Sequence, residues 1–101
     1  MLKTEENISK LEISNEKKPI KSKRLKTIAY IGSIYATFDG KQVWEIDKGI
    51  SYILSLCDGT RTISEITDEI AKEIELNPEE VKSTLFNILK ELENKGFIEY
   101  L

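Results

Sequence analysis

At Asp47 the hydrophobic pattern of this chain changes period, and that change limits the fold more than any other feature. Upstream, β-branched and aromatic residues alternate with other types in Thr27-Ile28-Ala29-Tyr30-Ile31, Ile34-Tyr35-Ala36-Thr37-Phe38 and Gln42-Val43-Trp44-Glu45-Ile46, the period of two expected of strands. Downstream, apolar residues recur every three to four positions, as on one face of a helix. Strands followed by helices do not fit the alternating order of a parallel sheet and point to an α+β arrangement.

Turn residues divide the strands. Gly32-Ser33 separates the first from the second, and Asp39-Gly40 is a two-residue hairpin signal, because a type I′ turn needs positive φ at both central positions. The expectation is an antiparallel meander. With Asp39-Gly40 as the loop, Phe38 opposes Lys41, Ala36 opposes Val43 and Tyr35 opposes Trp44. That register puts Tyr35, Trp44 and Ile46 on one face and Ile34, Ala36, Phe38 and Val43 on the other. Both faces then carry apolar groups, so either a guest visits the face the helices leave open or the pairing is shifted by one residue.

Each helix has its own start signal. Asp47 is placed to cap a helix with the stripe Ile50, Ile53, Leu54 and Cys57, and Asp58-Gly59 supplies a left-handed stop. Thr62-Ile63-Ser64-Glu65 is a capping box, continued at helical spacing by Ile66, Ile70 and Ile74. Asn77-Pro78-Glu79-Glu80 reads as a second box with proline at the first helical position, opening a helix whose inner face carries Val81, Leu85, Ile88, Leu89 and Leu92. Gly96 ends it, and Phe97-Ile98-Glu99-Tyr100-Leu101 is a short extended ending that can pack back on the core. The expected architecture is α+β and winged-helix-like, a three-stranded antiparallel N-terminal sheet followed by three helices.

Composition narrows the chemistry. Among 101 residues there is no His and one Cys, so the usual general base, a Cys-His nucleophile pair and a zinc or disulfide framework are all missing, and neither a metal nor a cofactor is expected. The opening Met-Leu-Lys-Thr-Glu-Glu-Asn is too charged for a signal peptide and no run of about 18 apolar residues follows, so the expected location is the cytoplasm. Residues 1–26 carry eight basic and four acidic groups, whereas residues 27–101 carry seven basic and fourteen acidic. Residues 1–22 are expected to be a mobile basic tail, dispensable for folding, ahead of a domain over 23–101. The tail reads as a solubilising leader or as an arm for phosphate or an acidic partner; the acidic domain behind it argues against nucleic acid.

Certain residues carry a family resemblance. Trp44-Glu45-Ile46-Asp47, then Ile53-Leu54-Ser55-Leu56-Cys57-Asp58-Gly59-Thr60-Arg61-Thr62-Ile63-Ser64-Glu65-Ile66, then Leu85, Ile88, Leu89, Leu92 and Gly96-Phe97-Ile98 together resemble the PqqD family, the pyrroloquinoline quinone biosynthesis chaperones and their relatives. The similarity spans about residues 26–100. Two departures stand out: the basic stretch before residue 26, and Asp47 where the family has an Asn-like residue closing the third strand. The resemblance implies a recognition element that binds the leader of a ribosomally made precursor peptide and presents it to a modifying enzyme, often a radical S-adenosylmethionine protein. It also implies that the leader is held as an added strand against the third strand, beside the third helix.

On that footing the expected peptide-binding residues are Lys41, Gln42, Val43, Trp44 and Glu45 on the strand and Lys82, Leu85, Phe86, Leu89 and Lys90 on the helix. Trp44 and Ile46 are expected to face inward, and Lys41 and Glu45 to select the charge of the guest. Phe86 lies about 100° round the helix from Leu85, outside the core stripe; it either lines the groove or packs under the C-terminal ending or against the sheet. Cys57 reads as a small buried hydrophobe, Asp58-Gly59-Thr60 as a helix stop lacking the lysine of a phosphate loop, and Glu79 and Glu80 as helix-start residues.

Two further functions remain open on the sequence. One is a winged-helix DNA-binding regulator, which the third helix disfavours by offering Glu79, Glu80, Glu91 and Glu93 against Lys82, Lys90 and Lys95. The other is a small subunit of an enzyme complex with no peptide role.

Overall fold

The start signals place the helices. In the computed structural model, which describes residues 16–101, the elements run β1 (Pro19–Lys21), β2 (Lys26–Tyr30), β3 (Ser33–Thr37), β4 (Val43–Ile46), α1 (Lys48–Leu56), α2 (Ile63–Ile74), α3 (Pro78–Asn94) and β5 (Ile98–Tyr100). Asp47 Oδ1 accepts from Ile50 N at 2.7 Å to start α1. Thr62 and Glu65 form the reciprocal capping box of α2. Asn77 makes no side-chain cap bond, so α3 begins on its proline, with the Asn77 carbonyl accepting from Glu80 N and Val81 N, rather than on the expected second box.

The fold is α+β with antiparallel sheets, as expected, but the three-stranded sheet is not the N-terminal element. β1 precedes it and pairs with β5 in a separate two-stranded sheet, Ile20 opposite Glu99. The folded unit therefore begins earlier than the tail boundary at residue 22 implies. Residues 1–15 of that expected tail lie outside the described residues. From Lys17 onward the main chain is tied down: Lys17 O accepts from Ile63 N, Lys18 O from Leu101 N and Pro19 O from Gly59 N, while Lys21 N donates to Cys57 O and Ser22 N to Phe97 O. These bonds use only main-chain groups, so a lysine-rich segment joins the fold without burying charge in an apolar core; Lys21 Nζ donates to Leu25 O at 2.8 Å and Lys17 Nζ lies over the Tyr100 ring. Gly59 has φ +81°, and a Cβ there would meet Ile20 Cδ1 at 3.2 Å and Leu101 Cδ1 at 3.0 Å, so the approach of β1 also calls for glycine.

In the second sheet, order β2-β3-β4, both hairpins differ from the expected turns. The tight turn lies at Ile31-Gly32, both at positive φ between the pair Tyr30 and Ser33, although a β-branched residue rarely adopts that region. The β3–β4 loop spans 38–42 instead of two residues. Thr37 Oγ1 donates to Gln42 O at 2.7 Å and accepts from Gly40 N at 2.8 Å, and Asp39 Oδ1 accepts from Lys41 N and Gln42 N. Those N–H groups, Gln42's first, hold the Asp39 carboxyl below its usual range. The pairing is consequently Thr37 with Val43, Ala36 with Trp44, Tyr35 with Glu45 and Ile34 with Ile46, one residue from the register that Asp39-Gly40 suggests. Ile34, Ala36, Trp44 and Ile46 now share a face, and Tyr35 leaves it.

That face meets the helices. Phe97, 1% exposed, stands edge-on to Phe38 and to Trp44 with ring centroids 5.7 and 5.3 Å away. Ile63, Ile66, Leu85, Leu89 and Ile98, all fully buried, belong to the same core. No helix among the described residues is long and apolar enough to cross a membrane.

Candidate functional site

β4 is an edge strand: β3 pairs with one side of it, and along the other its alternate N–H and C=O groups are unused. Beside that edge lies a groove of about 160 Å³ between β4, the start of α1 and the second half of α3. Its apolar floor comes from Trp44, Ile46, Ile50, Ile88, Leu92 and Phe97; Glu45, Asp47, Glu91 and Lys95 are its charged residues. Trp44, Ile46, Ile50 and Ile88 are each half-buried against the core, so each still offers apolar surface to a guest.

Phe97 and Phe38 fix the Trp44 ring on the inner face, and Asp47 ends the strand by capping α1, which brings Ile50 to the groove. Ile88 also lines a second, apolar cavity of about 170 Å³ with Ile53, Ile74, Leu76 and Val81. An apolar seam therefore continues along α3 beyond the strand.

The expected strand residues fall at or beside this edge. Val43, Trp44 and Glu45 lie on β4, and Trp44 and Ile46 face inward as anticipated. Lys41 and Gln42 sit in the preceding loop, where their N–H groups serve Asp39. The expected helix residues are not brought to β4. Leu85 and Leu89 are 2% and 1% exposed and belong to the core. Phe86 and Lys90 line a different cavity with Lys17, Ile63, Glu93 and Tyr100, and Lys82 lies with Ser83 and Asn87 on that same flank of α3. Phe86 is thus partly buried against the core and shares that cavity with Tyr100 of the C-terminal strand, away from β4.

At 100° per residue Phe86 and Ile88 border the core stripe of α3 from opposite sides, about 160° apart. Amphipathicity defines the stripe but gives no preference between its borders. Ile88, Glu91, Leu92 and Lys95, which line the groove, thus lie outside the expected set; the usable signal is Ile88 itself, an isoleucine at the rim of its stripe.

Other marked residues have structural roles. Asp58 accepts from the Thr60 hydroxyl and N–H and pairs with Arg61 at 2.8 Å; the Thr60 hydroxyl is the first cause of its lowered pKa. Burial, with the Asp58 charge second, pushes the Cys57 thiol up to about 12, so it stays protonated. No group of three or more His, Cys, Asp or Glu among the described residues is placed to hold a metal ion.

Comparison with known proteins gives a family match and a structural likeness. Residues 34–98 match the family described as Coenzyme PQQ synthesis protein D (PqqD). Among solved structures, the chain is similar to TbiB1 in complex with the TbiA(beta) leader peptide, with a TM-score of 0.65, 22% identity, and coverage of 79% of this chain and 94% of that one. At that identity the likeness is one of fold. No curated protein matches the chain.

Proposed function

Because the chain belongs to the PqqD family, we propose that it is a non-catalytic recognition element that binds the leader of a ribosomally made precursor peptide. The leader adds to the free edge of β4: main-chain hydrogen bonds supply affinity, and alternate side chains dropping between β4 and α3 supply selectivity. The domain then presents the peptide to a separate modifying enzyme, which for many family members is a radical S-adenosylmethionine protein. In this reading the three helices and the sheet act as a winged-helix-like scaffold in the cytoplasm, and the groove recognises a strand rather than DNA.

The observation that carries the proposal is the unpaired edge of β4 over an apolar floor. The TbiB1 fold, solved with a leader peptide, supports it. The binding residues proposed are Val43 to Ile46 along the edge, with Ile50, Ile88, Glu91, Leu92 and Lys95 across from it.

The test is titration of isotope-labelled protein with leader peptides of precursors encoded near its gene. Shifts are expected from Lys41 to Asp47 and from Ile88 to Lys95, and the isolated protein should leave the peptides unmodified. Val43→Pro removes one N–H from the strand; if it faces the guest, affinity falls by about 0.5–1.5 kcal/mol, or about 2- to 13-fold. Shifts confined to Lys82, Phe86 and Lys90 would move the site to the opposite flank of α3. Duplex DNA binding that survives about 0.2 M salt would replace the proposal.

A further inference from the structure

The charged residues of the groove are unequal in sign. Glu45 alternates to the outer face of β4, so within the groove Asp47 and Glu91 stand against a single Lys95. Glu91 and Lys95 are four apart, a spacing that often makes an ion pair on a helix, yet among the described residues the one salt bridge is Arg61 to Asp58. Glu91 is exposed and free to meet a guest across from β4. Asp47 has one carboxylate oxygen committed to Ile50 N, and Glu45 pairs across the sheet with uncharged Tyr35. A strand entering here passes through a net negative field, and partial exclusion of water by the apolar floor strengthens it.

We infer that the guest is cationic: an extended leader segment with apolar side chains directed at Trp44, Ile46 and Ile88 and a Lys or Arg near Glu91, which is the specificity-determining residue. This rests on the peptide-binding reading above and adds the charge class of the ligand. Strand spacing supports it, since guest residues two apart lie about 6.6 Å from one another on the same face, so a basic side chain can reach the rim while its neighbours in register fill the floor. Arginine is favoured over lysine because its fork can bond both oxygens of Glu91.

The experiment is selection of random 15-residue displayed peptides on the full chain, sorted by whether binding is lost in Val43→Pro and, as a milder change outside the strand, Ile88→Asn. Circular dichroism and melting temperature confirm that each variant is folded. Peptides dependent on the groove should be enriched in Arg and Lys. Their affinity should fall about two- to fivefold in Glu91→Gln and further in Glu91→Lys, as for loss and then reversal of one exposed ion pair. Repeating the selection on Glu91→Lys should shift the enriched residue to Asp or Glu. Groove-dependent peptides without a charge preference, or unaffected by both Glu91 variants, overturn the inference and leave the peptide-binding reading standing. If no peptide is enriched, or all bind independently of Val43 and Ile88, that reading falls as well.

Discussion

Thr37 is 2% exposed and its one hydroxyl joins two main-chain groups of the β3–β4 loop, donating to Gln42 O and accepting from Gly40 N. Thr37→Val keeps the shape and strips both bonds, so denaturant titration should show a loss of about 1–3 kcal/mol, while Thr37→Ser should lose less. A second prediction at this scale concerns alkali. Burial raises the Cys57 thiol from 9.0 to about 12 and the Tyr100 hydroxyl from 10.0 to about 12. The unfolded chain releases these protons first, so this contribution to stability is complete below about pH 9 and is lost as the pH climbs towards 12. Melting temperatures across that range should fall, and Cys57→Ala should reduce the slope. In native protein at neutral pH the thiol should resist alkylating reagents until the chain is unfolded.

Among the elements, β1 is three residues long, Pro19–Lys21, and is held largely by main-chain bonds. Besides its pairing with β5, β1 and the residues beside it make five main-chain bonds, to Cys57, Gly59, Ile63, Phe97 and Leu101. Removing residues 1–22 should therefore lower the melting temperature clearly relative to removing residues 1–15 alone; equal temperatures would mean that β1 contributes nothing. The aromatic triangle does the corresponding work for the larger sheet. Phe97→Ala removes the ring that touches both Phe38 and Trp44 and should cost about 3–5 kcal/mol by chemical denaturation. Because Trp44 also lines the groove, a folded Phe97→Leu variant should bind a guest more weakly.

For the whole molecule, the groove lies at the seam between sheet and helices, and binding there clamps the two together. A leader at a hundred times its Kd should raise unfolding free energy by about 2.7 kcal/mol, seen as a higher melting temperature. Hydrogen exchange should slow at the outward amides of β4 in the complex, and the β2 edge, whose five residues are all exposed, should exchange as before. Protection at β2 instead would place the guest on the wrong edge of the sheet. Charge is also partitioned at this scale: the basic residues from Lys17 to Lys26 gather around β1 and its exit, while acidic residues dominate the rest.

Local chemistry accounts for what the sequence by itself determined: the α+β order, the caps at Asp47 and Thr62, the inner stripe of α3 and the inward side of Trp44; the first helix instead ends on Cys57, ahead of the expected Asp58-Gly59 stop. Each depends on residues within one helical turn or one strand alternation, where propensity and periodicity act directly. Family resemblance and the edge-strand argument also pointed to β4, which lines the proposed groove. Tertiary structure alone decided the rest. The one-residue register shift came from Thr37 and Asp39 bonding a wider loop, the folding-in of Pro19–Lys21 from main-chain partners far along the chain, and the choice of Ile88 over Phe86 from which border of α3 faces the sheet. Main-chain hydrogen bonds leave no mark in side-chain type, and a helix stripe has two borders that are equivalent until a neighbour packs against one of them.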